Sequence, residues 1–163
     1  MKLDAIDVRI LATLQRDGRI TKLKLAEAVG LSPSPCWERM RRLQEAGYIR
    51  GFHADIDVPR VVRTTTVYVE VTLQSHAGED FDRFEGAVLE RDEIVECHAV
   101  GGGADYMLKV VTTDVARYQA LIDDLLAAHI GIGRYFTYIV TKQVKRLPGP
   151  SLQRLIVLAD AER

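Results

Sequence analysis

Residues 20–50 decide how this chain folds, and their sequence is ITKLKLAEAVGLSPSPCWERMRRLQEAGYIR. Gly30 suits the end of a first helix, because glycine reaches positive φ without a steric clash. Ser32 then suits the N-cap of a second helix, and Pro33 suits its first helical position. The stretch therefore predicts two helices joined by a tight turn.

The second helix is predicted to be amphipathic. At about 100° per residue, Cys36, Met40 and Leu43 fall on one narrow apolar stripe. The opposite side carries the polar residues Ser34, Glu38, Arg41 and Arg42, and Arg39 flanks the stripe. Such a helix, with an apolar back and a basic front, is typical of a recognition helix that lies in a DNA groove. The spacing alone fits an ordinary amphipathic hairpin with a solvated charged face about as well.

Six polar side chains are the candidates for contacting DNA: Lys22, Ser32, Ser34, Arg39, Arg41 and Arg42. Arg41 and Arg42 are predicted to read base edges or phosphates, and Arg39 to anchor the helix or contact a phosphate. The two serines lie at the start of the helix, whose free N–H groups can receive a phosphate. The lysine opens the preceding helix and can meet another phosphate. Trp37 is expected to pack on that preceding helix.

Length and composition are those of a globular protein with a real core. No apolar run approaches the ~20 residues that a membrane span needs, and the N-terminus reads directly into a helix. Cys36 and Cys97 form no disulfide framework, which fits a reducing compartment. We therefore expect a cytoplasmic protein without membrane association. The first 60 residues carry three more basic than acidic side chains, and the remainder carries four more acidic than basic. This charge asymmetry is compatible with DNA binding by the N-terminal part of the chain only.

The segment before the opening stretch keeps the helical period, and the segment after it changes to the period of a strand. Asp4 suits the N-cap of a further helix, which makes residues 1–50 a three-helix, winged-helix-like helix-turn-helix domain. Residues 52–58 alternate between apolar and polar side chains, which predicts a strand within a tether over residues 51–63. Residues 147–163 read as an extension that ends in a short helix.

Residues 64–146 are predicted to form strand, helix, strand, strand, helix and strand. That order is a ferredoxin-like βαββαβ sandwich, so the whole chain is of the α+β class. The predicted strands span residues 64–73, 93–100, 106–112 and 135–144, and the predicted helices span residues 78–91 and 115–129.

The order of elements and a series of short motifs resemble the Lrp/AsnC family, the leucine-responsive and asparagine-synthesis regulators. The motifs are Leu3-Asp4-x-x-Asp7, Asp17-Gly18-Arg19-Ile20, Leu25-Ala26, Gly30-Leu31-Ser32-Pro33-Ser34, Arg39 followed by Arg42-Leu43, Gly47-Tyr48-Ile49-Arg50-Gly51-Phe52, Glu96-Cys97, Gly102-x-x-Asp105-Tyr106 and Lys109-Val110. The resemblance covers nearly the whole chain. It implies a sequence-specific transcriptional regulator that dimerises through the second domain and whose dimers can assemble into octamers. A dimer should read an inverted-repeat operator in double-stranded DNA.

The resemblance also implies an amino-acid-like effector, bound between subunits near the loop that joins the second and third strands. Gly101, Gly102 and Gly103 expose backbone N–H groups that suit a carboxylate, and Asp105 can pair with an ammonium group. By residue types alone, a plain hairpin turn in which the aspartate caps its own backbone is the commoner arrangement. The resemblance favours the effector site, with a contact from Tyr106. Thr137, next to Phe136 and Tyr138 on the last strand, is a further candidate contact from the neighbouring subunit.

The loop departs from the pattern Val-Thr-Gly-x-Tyr-Asp-Tyr that is common in the family. Gly101 stands at the threonine position and Ala104 at the first tyrosine position. A hydroxyl and an aromatic wall are therefore absent, and we expect a roomier site. A bulkier or cyclic amino-acid derivative fits this expectation better than leucine or asparagine.

Two other classes of function compete with this interpretation. The first is an enzyme or a metabolite-binding protein on the ferredoxin-like fold. Against it, the four histidines lack zinc spacing, and the chain has no phosphate loop and no Ser/His/Asp pattern. We expect no metal, no cofactor and no catalysis. The second is an architectural DNA-wrapping protein that responds to no effector.

Overall fold

The computed structural model describes residues 2–146 and 149–161. The chain divides into two compact units. One contains the described residues up to Asp55 and those from Lys145 onward, and the other is Ile56–Val144. None of the described helices is long and apolar enough to cross a membrane.

Three helices build the first unit: α1 (Ala5–Arg16), α2 (Lys22–Val29) and α3 (Pro33–Glu45). The predicted turn is confirmed, because Gly30 caps α2 at φ 73° and Pro33 starts α3 after Ser32. The Ser32 side chain makes no capping hydrogen bond. The predicted apolar stripe is confirmed as well. Its three members are buried in one core with residues of α1 and α2, namely Ile10, Leu25, Ala26 and Val29.

A capping box starts α1. The Asp4 carboxylate accepts hydrogen bonds from the backbone N–H groups of Ile6 and Asp7, at 2.9 and 2.8 Å. In return, the Asp7 carboxylate accepts the Asp4 N–H at 3.2 Å. Both side chains thus satisfy helix-end N–H groups that would otherwise lack partners.

The strand predicted over residues 52–58 is wrong. Residues 51–57 have no regular secondary structure, and Val58–Val61 form a short helix, α4, with Pro59 in its first turn. A strand needs a neighbour that pairs with its N–H and C=O groups, and no described segment of the chain pairs with this one. Its apolar side chains stay in contact with solvent, with Phe52 46% and Ile56 54% exposed.

The second unit has the predicted βαββαβ order. Its elements are β1 (Thr65–Leu73), α5 (Gly78–Leu89), β2 (Ile94–Ala99), β3 (Tyr106–Thr112), α6 (Val115–Ala127) and β4 (Ile132–Ile139). The strands form one sheet in the order β2-β3-β1-β4, with antiparallel neighbours throughout. Both helices cover the same face, where Phe84 of α5 and Leu125 of α6 are buried against Val67, Val69 and Val71 of β1. The ferredoxin-like prediction is confirmed.

The fourth strand begins three residues earlier and ends five residues earlier than predicted. Gly131, at φ 87°, completes the connection from α6, and Gly133 lies inside the strand. A Cβ at Gly133 would approach the backbone nitrogen of Gln74 to 3.1 Å, at the point where the pairing of β1 with β4 shifts register. The second glycine therefore serves a close backbone approach and does not break the strand.

Of the extension predicted over residues 147–163, the described residues 149–161 pack on the first unit, and the other four lie outside the described part of the chain. Its helix α7 (Leu152–Ala161) contacts α1. The Gln15 amide donates to the Pro150 carbonyl at 2.8 Å and accepts the Leu152 N–H at 3.1 Å. Arg146 pairs with Asp55. The chain leaves this unit after Asp55 and returns to it at Lys145, so the ion pair joins the two connecting segments. The extension thereby adds a fourth helix to the first unit.

Candidate nucleic-acid interface and effector loop

The candidate nucleic-acid interface is the side of α3 that faces solvent. Ser34, Glu38, Arg41 and Glu45 follow one another along this side, and all four are exposed. Arg41 pairs with Glu45 one turn later, with 3.4 Å between Nε and the carboxylate, and both side chains remain about two-thirds exposed. Such a weak surface pair leaves the guanidinium available to another partner.

Arg39 and Arg42 bind the buried carboxylate of Asp7. The sequence predicted anchoring as one of two roles for Arg39, but it indicated neither this partner nor the same role for Arg42. Arg39 Nη1 donates to Asp7 at 2.8 Å and to Asp4 at 2.6 Å. Arg42 Nη2 lies 3.3 Å from both oxygens of Asp7, whose side chain is only 1% exposed. The backbone N–H of Asp7 and the Arg39 guanidinium lower the pKa of Asp4 to about 2. The two arginines thus fix α3 against the start of α1, and their contact with DNA stays a prediction.

Trp37 contacts the adjoining helix, as expected. The Lys22 ammonium at the start of α2 lies 3.4 Å from the centroid of the indole ring, and Trp37 keeps 39% of its surface exposed. A cation over an aromatic face is attracted by the quadrupole of the ring. The pair holds the lysine beside α3, where its predicted contact with a phosphate stays a prediction.

The glycine loop of the second unit is open to solvent. Gly101, Gly102 and Gly103 are exposed, and a Cβ added to any of them would meet nothing within 4 Å. Of these three, Gly102, at φ 138°, has a backbone conformation that favours glycine. The space next to Gly101 is therefore free within the subunit, and the roomier effector site stays a prediction.

Asp105 binds the backbone of β1 and a histidine. Its Oδ2 accepts the Leu73 N–H at 2.8 Å, and its own N–H donates to the Val71 carbonyl at 2.9 Å. Its Oδ1 lies 3.0 Å from Nε2 of His76, whose side chain is 65% exposed. The aspartate thus caps the end of a neighbouring strand, while Oδ1 points to a group that can move aside.

The other two predicted effector contacts are engaged inside the subunit. Tyr106 is 2% exposed, packs on Phe84 and donates its hydroxyl to Glu85 at 2.7 Å. Burial, followed by the Glu85 carboxylate, raises the pKa of Tyr106. Thr137 Oγ1 lies 2.5 Å from the Tyr118 hydroxyl on α6. Each hydroxyl already makes one hydrogen bond within the subunit, and their contact with an effector stays a prediction.

A cleft of about 200 Å³ lies beside the start of α5 and the end of α6. It is lined in part by the ion pair of Asp80 with Arg83, at 3.0 Å, and by His129. Sequence reasoning missed it, because its walls come from three separate segments and no local motif marks them. Across residues 2–146 and 149–161, no group of three or more His, Cys, Asp or Glu side chains could hold a metal ion.

Comparisons with known proteins cover both units. The family model of the Lrp/AsnC ligand binding domain matches residues 66–150, and that of a winged helix-turn-helix DNA-binding domain matches residues 3–50. The transcriptional regulatory protein DoeX of Halomonas elongata is 55% identical over 146 residues, which are 90% of this chain and 92% of that protein. The leucine-responsive regulatory protein of Escherichia coli K12 is 42% identical over 144 residues, 88% of either chain.

Solved structures agree with the sequence relatives. The transcriptional regulator NMB0573 of Neisseria meningitidis, solved as a complex with L-Met, superposes with a TM-score of 0.85 at 31% identity. An AsnC family transcriptional regulator from Agrobacterium tumefaciens gives the same TM-score at 35% identity. Each comparison covers 94% of this chain and 99% of the other.

Proposed function

The chain belongs to the Lrp/AsnC family of DNA-binding transcriptional regulators, and we propose that it works in the cytoplasm as a homodimer. An amino-acid derivative would control the affinity of this dimer for an inverted-repeat operator. Its relatives are regulators and not enzymes, in agreement with the expectation from sequence. One observation carries the proposal. One unit of the chain has a helix whose solvent-facing side carries arginine, and the other unit has a carboxylate beside an open glycine loop.

DNA binding is assigned to the solvent side of α3. Arg41 is the best candidate for a base edge, because its only described partner is the exposed Glu45. Arg42 is a less suitable test residue, because its loss would also remove contacts to the buried Asp7. Lys22 is the best candidate for a phosphate, since an ammonium group beside the helix carries charge without reading sequence.

Arg41→Ala is expected to weaken operator binding about tenfold and to relax the base preference at one position of each half-site. Lys22→Ala is expected to weaken binding to all sequences alike and to reduce the slope of log affinity against log salt by about 1. Fluorescence anisotropy at several KCl concentrations measures both effects. Arg117→Ala, an exposed arginine on α6, is the control that should change neither. Operator affinity unchanged in a folded Arg41→Ala protein would remove that residue from the interface.

Dimerisation is assigned to the sheet face that the helices leave uncovered. On β1 and β4, the side chains that alternate with those facing the helices point to this face. Tyr68 is 40% exposed and Phe136 is 48% exposed, and Tyr138, directly opposite Tyr68, is 50% exposed. Adjacent exposed aromatic side chains mark a protein-binding surface, and a second copy of the same sheet is the proposed partner. Assembly of dimers into octamers stays a prediction from the family.

Effector binding is assigned to the glycine loop and Asp105. The effector carboxylate would accept N–H groups of the loop, and its ammonium group would pair with Asp105 Oδ1 after displacing His76. Oδ2 stays engaged by the Leu73 N–H, which fixes the carboxylate in place. The free space next to Gly101 gives room for a side chain or ring larger than that of leucine.

Asp105→Asn is expected to raise the effector concentration needed for half-maximal response at least tenfold. Asparagine keeps an oxygen that can accept the Leu73 N–H but loses the charge that pairs with an ammonium group. The measurement is a mobility shift on DNA upstream of the gene and of its neighbours, with and without a panel of amino acids and derivatives. Operator binding without effector should be unchanged. An equal response of Asp105→Asn and wild-type protein to the active compound would contradict the site.

A further inference from the structure

We infer that Glu38 determines operator specificity by reading a cytosine in each half-site. The inference rests on the proposed placement of α3 in the major groove. Three observations carry it: the position of Glu38 on the helix, its lack of an intramolecular partner, and the chemistry of a carboxylate next to DNA.

Glu38 lies at the centre of the exposed side of α3. It is two residues, about 200°, from the fully buried Cys36, which places it almost opposite the apolar stripe. Ser34, one turn before, and Arg41, nearly one turn after, lie on the same side. Glu38 therefore lies in the middle of the surface that α3 would present to a DNA groove. It is thus more central than Arg39 and Arg42, which are held on the flank facing α1.

Glu38 has no partner among the described residues. Four other acidic side chains of this unit form ion pairs: Glu45 pairs with Arg41, Asp4 and Asp7 bind Arg39, and Asp55 binds Arg146. An unpaired carboxylate at the centre of a DNA-binding face repels phosphate and lowers affinity for every sequence. A base that offers a hydrogen-bond donor at that point would offset this penalty.

The donor pattern of the major groove singles out cytosine. A carboxylate only accepts hydrogen bonds. Guanine presents the acceptors N7 and O6, thymine presents O4 and a methyl group, and adenine presents the donor N6 next to the acceptor N7. Cytosine presents the N4 amino group without a neighbouring acceptor on its own edge. Glu38 should therefore bind best where a cytosine faces it and be repelled elsewhere.

Two substitutions separate this role from a general charge effect. Glutamine both donates and accepts and pairs with N6 and N7 of adenine. Glu38→Gln should therefore change the preferred base at one position of each half-site from cytosine to adenine. Glu38→Ala should bind sequences that lack this cytosine more tightly and reduce the preference for cytosine at that position about 5- to 10-fold. The matched control is Glu27→Gln on the exposed side of α2, which removes the same charge and should leave base preference unchanged.

The experiment is selection of binding sites from a randomised duplex pool by full-length wild-type, Glu38→Gln, Glu38→Ala and Glu27→Gln proteins, with sequencing of the bound DNA. A change confined to one symmetric pair of positions, from cytosine to adenine in Glu38→Gln, supports the inference. Identical base preferences for all four proteins overturn it while leaving the proposed function intact. If folded wild-type protein enriches no inverted repeat, the proposed binding mode itself is overturned, and this assignment with it.

Discussion

Asp7→Ala is expected to lower the free energy of unfolding of the DNA-binding unit by about 2–3 kcal/mol. The carboxylate is 1% exposed and accepts the Asp4 N–H, one bond from Arg39 and two longer ones from Arg42. Its loss leaves both arginines without their buried acceptor. They are 27% and 51% exposed, so water can reach them in part, which keeps the cost below that of a fully buried pair.

The fluorescence of Trp37 measures this effect in the intact chain. It is the only tryptophan of the sequence, and it lies in α3, so its signal reports on unfolding of the first unit. Arg39→Ala should cost more than Arg42→Ala, because Arg39 makes the shorter bonds. Asp82→Ala, an exposed aspartate of α5, is the control. Equal denaturation midpoints for Asp7→Ala and Asp82→Ala would show that the Asp7 contacts do not hold α3.

The sequence predicted those features whose causes lie within a few residues. The turn around Gly30, the start of α1 at Asp4 and the buried stripe of α3 all follow from capping chemistry and helical period. The Asp7 contacts could not be predicted in this way. The sequence shows an acid at the third position of a helix, whereas its arginine partners lie 32 and 35 residues further along the chain. Only the packing of α3 on α1 brings them together.

The tether and the effector loop are two further places where the sequence could not predict contacts with distant segments. Residues 52–58 have the alternating apolar and polar pattern of a strand. Such a pattern shows which side chains share a face, but a strand also needs a partner strand, and none of the described segments pairs with this one. At the loop, the sequence placed Asp105 next to glycines but could not show that it caps β1 at Leu73 and faces His76. Tyr106 was predicted as an effector contact from the family resemblance, and the sequence could not show that its ring is part of the core.

The double variant Phe136→Lys/Tyr138→Lys is expected to be monomeric and to bind the operator at least about 100-fold more weakly. Both side chains lie on the uncovered sheet face, and pairing two such faces would bury four added ammonium groups in each dimer. Phe136 is directly opposite Glu70, and Tyr138 donates its hydroxyl to the Glu70 carboxylate. A lysine at either position therefore has an acidic neighbour within its own subunit. The fold of the monomer should therefore survive.

The loss of affinity follows from valency. A dimer holds two α3 helices on one DNA duplex, so binding of the first raises the effective concentration of the second, whereas a monomer has no such gain. Light scattering after size exclusion gives the mass, and anisotropy gives the affinity. Leu89→Glu, on the helical side of the unit and 84% exposed, is the control that should stay dimeric. A folded double variant that keeps the wild-type mass would move the dimer interface away from this sheet face. A monomer that binds the operator as tightly as wild type would instead show that each subunit reads DNA alone.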